Sequence, residues 1–148
     1  MGLSGAFLCS KHFGKEMAAV GRGVILNISS DLGLIAPSQF LYSEQELPKN
    51  MQTVKPVTYS VIKHGIIGLT RYLSTYWSDR GVRCNCLAPG GIFNEHESEF
   101  KDKLSKLIPM GRMADIDEYK ATIIYMCSNA SSYMNGAIIS VDGGRTSW

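Results

Sequence analysis

The stretch "GVRCNCLAPGG", residues 81–91, decides how the chain is read. Val82 to Ala88 form a short, mostly apolar run closed by Pro89-Gly90-Gly91, a combination that stops a strand and turns the chain. Cys84 and Cys86 alternate along it, so both thiols are expected on the same side of a buried strand. Working outward, "VILNIS" (24–29) is an earlier run of this kind and "GAIISVDGG" (136–144) a later one. From about 58 to 77 the positions Val61, Ile62, Ile66, Leu69, Leu73, Tyr76 and Trp77 recur at helical spacing. A mixed-charge helical patch (95–107) and a helix over 115–130, with an Asp-rich start suited to the helix dipole, separate the second strand from the third. Residues 1–19 place Leu3, Phe7, Leu8, Phe13, Met17 and Val20 on a further helix, broken by Gly21-Arg22-Gly23. Apolar strands alternating with helices predict a parallel sheet in an α/β layer fold. Three strands leave the edges and faces of such a sheet poorly covered, so the chain reads as the back half of a larger sheet.

Totals narrow the function. The 148 residues suffice for one domain with a real core, 45% are apolar and 19% charged, and the net charge is +2. No basic stripe with interleaved aromatics appears, which argues against nucleic acid as a partner. No apolar run approaches the ~18 residues of a membrane span. Neither a signal peptide nor a myristoylation signal is recognised at the start, and a cytoplasmic location is expected. The four cysteines lack metal-site spacing and read as buried, reduced thiols. His12, His64 and His96 share no ligand-like spacing, so no metal is expected.

The chemistry centres on "PVTYSVIKHG" (56–65), where Tyr59 and Lys63 stand one helical turn apart on one face. An ammonium beside a phenol favours the phenolate. A phenol so tuned can pass a proton near neutral pH, as oxidation of an alcohol or reduction of a carbonyl requires. The pair alone is not specific, because chance supplies about 0.4 such pairs at this composition. Its surroundings decide. "NISSDLG" puts Ser29 and Ser30 at the carboxyl end of the first strand, and "NCLAPGG" ends the second strand, where open α/β sheets bind ligands. Gly65 and Gly68 inside the helix suggest a face approached closely by another backbone.

"NISSDLG", "YSVIK", "VRCNCLAPGG", "IPMGRMADIDEY" and "GAIISVDGG", in this order and over nearly the whole chain, resemble the second half of a short-chain dehydrogenase/reductase. The resemblance implies the C-terminal half of a Rossmann-like, doubly wound parallel sheet, as a single partial domain over 1–148. It implies an NAD- or NADP-dependent oxidoreductase that interconverts an alcohol and a carbonyl on a small-molecule substrate. Ser30, in Ser-x-x-Gly, would hydrogen-bond the substrate oxygen and Tyr59 would be the acid/base. Lys63 would bind the nicotinamide ribose and favour ionisation of the tyrosine. Pro89, Gly90, Gly91 and Ile92 would border the nicotinamide, with the Ile92 backbone at its carboxamide. Asn94 stands where family members often carry threonine. Helices 1–19 and 58–77 are those through which the family associates, so a homo-oligomer is expected. The wording of the active-site helix and of "VDGGRTSW" is similar to bacterial reductases encoded with surface-polysaccharide and flagellin-glycan genes, pointing to a sugar or nucleotide-sugar substrate.

Three departures stand out. Residues 34–55 form an insertion before the active-site helix, expected to border the substrate pocket. The Gly-rich phosphate loop of the dinucleotide fold is missing, along with the N-terminal cofactor-binding βα units, for "GLSGAF" has the wrong spacing and instead resembles the start of the family's central helix. In that alignment Gly2 stands where the family has its catalytic asparagine. The alternative reading is therefore a non-catalytic fragment that serves at most as a subunit-interface module.

Overall fold

The structure is a computed structural model that describes residues 2–44, 46–95 and 98–148. Helix α1 (Gly2–Ala19) leads into strand β1 (Gly23–Ile28), helix α2 (Val57–Tyr76) and strand β2 (Val82–Pro89). Helix α3 (Ser98–Ser105), helix α4 (Lys120–Cys127) and strand β3 (Ile138–Val141) follow. The three strands form one parallel sheet in the order β1-β2-β3, with Gly23 opposite Val82 and Cys86 opposite Ile138. Helical segments cover both faces, so the expected α/β, doubly wound arrangement holds. Among the described residues no strand pairs with the outer edge of β1.

Among the described residues strand β2 is the centre, with a strand on each side. Residues 84–88 of it are buried, which explains why its sequence is mostly apolar on both faces, Asn85 excepted. Cys84 packs with Ala18, Leu73 and Trp77, and Cys86 with Ile66 and Ile67, so both thiols face the α1/α2 layer as their alternation predicts. Burial pushes the Cys84 thiol up to about 12. Leu87 faces the opposite layer, against Tyr119 and Met126. Asn85 ties that layer down, accepting the Ala137 N–H and donating to the Met134 carbonyl, each at 2.9 Å. Cys9 and Cys127 are exposed, a correction to the reading of all four thiols as buried.

The helices depart from expectation at specific places. In α1 the buried positions are Ser10, Gly14 and Ala18, whereas Phe7, Leu8, Phe13 and Val20 are exposed. Small residues let α1 lie close to its neighbours: a Cβ at Gly14 would sit 2.2 Å from the Trp77 ring. On α2, Val61 and Tyr76 are likewise exposed, while Ile66, Ile67, Thr70 and Leu73 are buried. The close approach by another backbone expected at Gly65 and Gly68 is not found: the Leu3 side chain reaches Gly65, and among the described residues nothing lies within 4 Å of a Cβ at Gly68. The single helix expected over 115–130 is a 3-10 turn (Ile116–Tyr119) followed by α4, which stops at Cys127. Ser128 adopts an extended backbone there; its hydroxyl donates to the Tyr125 carbonyl and accepts the Ala130 N–H, offering the chain an alternative to helix. No described helix is long and apolar enough to cross a membrane.

Candidate active site

Strand β1 delivers two serines, and the fold gives them different tasks. The Ser29 N–H continues the ladder to the Leu87 carbonyl at 2.8 Å, and its buried hydroxyl donates to the Lys63 carbonyl, also at 2.8 Å. Ser29 thus fastens β1 to α2. Ser30 instead caps the 3-10 turn Asp31–Gly33, accepting the Leu32 N–H at 3.2 Å and donating to Asp31 Oδ1 at 2.7 Å, and it lines a cavity. Gly33 follows from the tightness of this corner: a Cβ would lie 2.3 Å from Ser29 Oγ and 3.0 Å from the Lys63 carbonyl oxygen. The glycine of Ser-x-x-Gly is what lets the serine loop pack on α2.

Tyr59 and Lys63 occupy the first two turns of α2 and line the same cavity, of about 630 Å³. The Lys63 ammonium lies 5.6 Å from the centre of the Tyr59 ring and donates to the Ile28 carbonyl at 3.3 Å. Burial pulls the Lys63 ammonium below its ordinary pKa, against a smaller opposing effect of Cys86. Among the described residues the Tyr59 hydroxyl makes no hydrogen bond, and Lys63 makes only the one to Ile28, leaving two of its three N–H groups free.

The end of β2 forms the opposite wall. Pro89, Gly90, Gly91, Ile92 and Asn94 all border the cavity. The Gly90 N–H donates to the Val141 carbonyl at 2.9 Å, and the Ala114 N–H to the Gly91 carbonyl at 2.9 Å, so the Pro-Gly-Gly turn is held from both sides. Phe93 returns a bond to the Ala114 carbonyl at 2.7 Å, which leaves the Ile92 N–H without a partner among the described residues. Asn94 turns its carbonyl back on its own chain, accepting the Glu95 N–H at 2.8 Å.

Every site residue singled out in the sequence therefore borders one cavity. Residues that the sequence reading did not single out join them, four of them from the insertion and the C-terminal turn. Leu41, Tyr42 and Lys55 come from the insertion, and Arg145 from the 3-10 turn after β3. Lys55 places its ammonium 4.3 Å from the centre of the Tyr59 ring, nearer than Lys63, and 5.7 Å from that of Tyr42. Burial raises the Tyr42 phenol, with a smaller opposing effect of Arg145. The signal for Lys55 was its place four residues before Tyr59; it was missed because Pro56 separates it from the helix and only the folded loop turns it inward. His12 and His64 are exposed, and the His64 Nδ1 lies 3.0 Å from the Ser60 carbonyl oxygen. His96 lies outside the described residues. No group of three metal-ligating side chains occurs among the described residues.

The donors present fit the nicotinamide end of a dinucleotide. Two free ammonium N–H groups on Lys63 suit a ribose diol, and the unpartnered Ile92 N–H beside a Pro-Gly-Gly turn suits a carboxamide oxygen. No Gly-rich strand-to-helix turn that would take the pyrophosphate occurs among the described residues; Gly2 and Gly5 lie within α1.

Known proteins agree with this layout. A family model described as enoyl-(acyl carrier protein) reductase matches residues 47–146. D-threitol dehydrogenase of Mycolicibacterium smegmatis is 34% identical over 97% of this chain and 51% of its own length. A short-chain dehydrogenase from Leptospira borgpetersenii, solved with bound NAD+, superposes with a TM-score of 0.88 at 32% identity, over 98% of this chain and 53% of that one. A gluconate 5-dehydrogenase from Burkholderia cenocepacia, solved with NADP and tartrate, gives 0.81 at 31% identity, over 99% and 54%. The chain spans about half the length of the relatives it matches. From its strand order, its Ser-Tyr-Lys cavity and these likenesses, the chain belongs to the short-chain dehydrogenase/reductase family.

Proposed function

We propose that this chain supplies the proton-handling half of an NAD(P)-dependent oxidoreductase that interconverts an alcohol and a carbonyl on a polyol or sugar. The observation that carries the reading is the Tyr59 hydroxyl, without a hydrogen-bond partner among the described residues, on the wall of a cavity that also holds Ser30 and Lys63. Its polyol relative and the neighbour solved with NADP support the substrate class and the cofactor class. When bound, the nicotinamide accepts or gives the hydride. In the oxidising direction Tyr59 takes the proton of the reacting hydroxyl at its phenolic oxygen, and in the reducing direction it returns it. Lys63 holds the ribose with its two free N–H groups and keeps positive charge near the phenol. Ser30 orients the substrate through one of its oxygens, and Ile92 receives the carboxamide at its backbone N–H. Leu41, Tyr42 and Lys55 of the insertion roof the substrate end of the cavity and tune what enters.

The exposed apolar side chains on α1 and α2, Phe7, Phe13, Val61, Tyr72 and Tyr76, favour association of copies through these helices, in an assembly formed around the same active enzyme.

The test uses the natural full-length gene product with NAD or NADP and a panel of polyols. Tyr59→Phe should lower kcat by roughly 10²–10⁴-fold while cofactor affinity, read by fluorescence titration, stays within about twofold. Retained turnover in this variant overturns the acid/base role.

A further inference from the structure

We infer that Tyr42 and Lys55 form an anion subsite, contributed by the insertion, that takes a carboxylate or phosphate group of the substrate. This deepens the proposed function and rests on it for the place of the reacting carbon. The backbone fixes where Lys55 starts: its N–H donates to Oε1 of Gln39, in the 3-10 turn that also carries Tyr42, at 2.9 Å. The half-buried side chain then brings its ammonium to 4.3 Å from the centre of the Tyr59 ring and 5.7 Å from that of Tyr42. All three side chains border the same cavity.

The charges on that wall do not cancel. Its charged side chains are Asp31, Lys55, Lys63 and Arg145. Asp31 is already matched, because its Oδ2 accepts from Arg145 Nη1 at 2.9 Å and both side chains are buried. Two ammonium groups are left. Among the described residues no carboxylate pairs with either of them: Glu99 is bound to Lys103, Glu118 to Arg112 and Asp117 to Lys120. An aromatic face attracts a cation but leaves its N–H groups to be matched. Lys63 has the ribose to hold, so Lys55 is the cation left for the substrate.

Tyr42 completes the subsite. Its hydroxyl makes no hydrogen bond among the described residues, and burial pushes its phenol above the ordinary value. The phenol therefore stays protonated and presents its O–H as a donor. An ammonium and a neutral phenol side by side offer an anion both charge and a directed hydrogen bond. A neutral hydroxyl could take the hydrogen bond, but it would leave the ammonium without a counter-charge. Because that ammonium lies against the ring of the proton-transferring residue, the anionic group belongs within a few bonds of the reacting carbon.

The experiment measures binding by calorimetry to the full-length protein loaded with NAD or NADP. The probes are threitol, threonate and threitol 1-phosphate, four-carbon hydroxyl chains that differ in charge. At least one anion should bind about tenfold tighter than threitol, by an advantage that shrinks as salt is added. Whichever of the two gains more identifies the group as carboxylate or phosphate. Lys55→Met should bring the ratio within about twofold, Lys55→Arg should keep most of it, and Tyr42→Phe should lower it several-fold. Lys55→Gln replaces the methionine variant if that one does not fold. Equal affinity for the three probes, no binding of any, or a preference that survives loss of the Lys55 charge overturns the inference. So does a Lys55→Met variant that has a lower Tm and weakens all three probes equally, the mark of a lysine that only clamps the insertion on α2. Turnover is scored separately. The expected binding without oxidation of any probe by either cofactor sinks the proposed function and leaves the subsite, and oxidation with no preference for charge does the reverse.

Discussion

Residues 27–33 and residues 34–55 are consecutive in the chain and border the same cavity, yet they are held by different means. In the first, Asn27, Ser29, Ser30, Asp31, Leu32 and Gly33 are all buried, and their polar atoms are matched by partners from α2, β2 and the C-terminal turn. In the second, only Leu41 among the described residues is buried, against Leu104, Ile108 and Met113. The remainder is two 3-10 turns, Gln39–Tyr42 and Lys49–Met51, braced largely by itself. Gln52, for example, bonds Glu44 through both ends of its amide and also donates to the Leu47 carbonyl. A floor anchored by long-range partners resists change, whereas a roof braced locally can vary without unfolding what lies beneath. This contrast fits the proposed function, in which a fixed proton-transfer site coexists with a segment free to tune specificity.

The largest effect expected from breaking the contrast is at the floor. Gly33→Ala forces a methyl against Ser29 Oγ and the α2 backbone and should destabilise by about 1–3 kcal/mol, with loss of activity as the serine loop lifts. Urea unfolding measures it, and a change under about 0.5 kcal/mol would show the corner to be looser than the geometry states. At the roof, Lys55→Met should leave Tm nearly unchanged and alter KM for the substrate several-fold, because it removes the ammonium over Tyr59 and spares the floor. A Tm loss as large as that of Gly33→Ala would erase the distinction between the two regions.

The smallest effect lies outside both, at the exposed pair Arg112 and Glu118. Two bonds of 2.7 and 2.8 Å from the guanidinium, and one of 2.8 Å from the Asp115 N–H, hold the Glu118 carboxyl down at about 2. A carboxyl lowered on folding stabilises above its unfolded value of 4.5 and loses that contribution as pH falls towards 2. Glu118→Gln should therefore cost a little Tm at pH 7 and nothing by pH 2, a difference small because the pair is exposed to solvent. Equal effects at the two pH values would remove the pair from the stability of this turn.

Much of the floor was legible in the sequence. The mostly apolar run at 82–88 gave away a buried strand because alternation vanishes when both faces are covered. Tyr59 and Lys63 share a face by helical geometry alone, and Ser30 stands out by its distance from Gly33. The exposure of Phe7, Phe13, Val61 and Tyr76 was not legible, since periodicity reports that a face is apolar and not whether this chain covers it. The break at Ser128 was missed for a related reason: helical spacing continues through it, while the competing side-chain bonds are visible only once the turn is formed.

By itself, then, the sequence determined the strand–helix alternation, the strand ends that border the cavity, and the candidate site residues set by local spacing. These follow from repeats of two and 3.6 residues, which any stretch of chain carries within itself. Only the tertiary structure decided that Arg145 closes on Asp31, that Lys55 reaches Tyr59 around a proline, and that of two adjacent serines on the cavity wall one fastens β1 to α2 and the other caps the 3-10 turn. Those choices depend on where the parallel crossover sets β3 beside β2 and on how closely glycine lets the serine loop approach α2. Contacts across a hundred residues leave no period for a sequence to display.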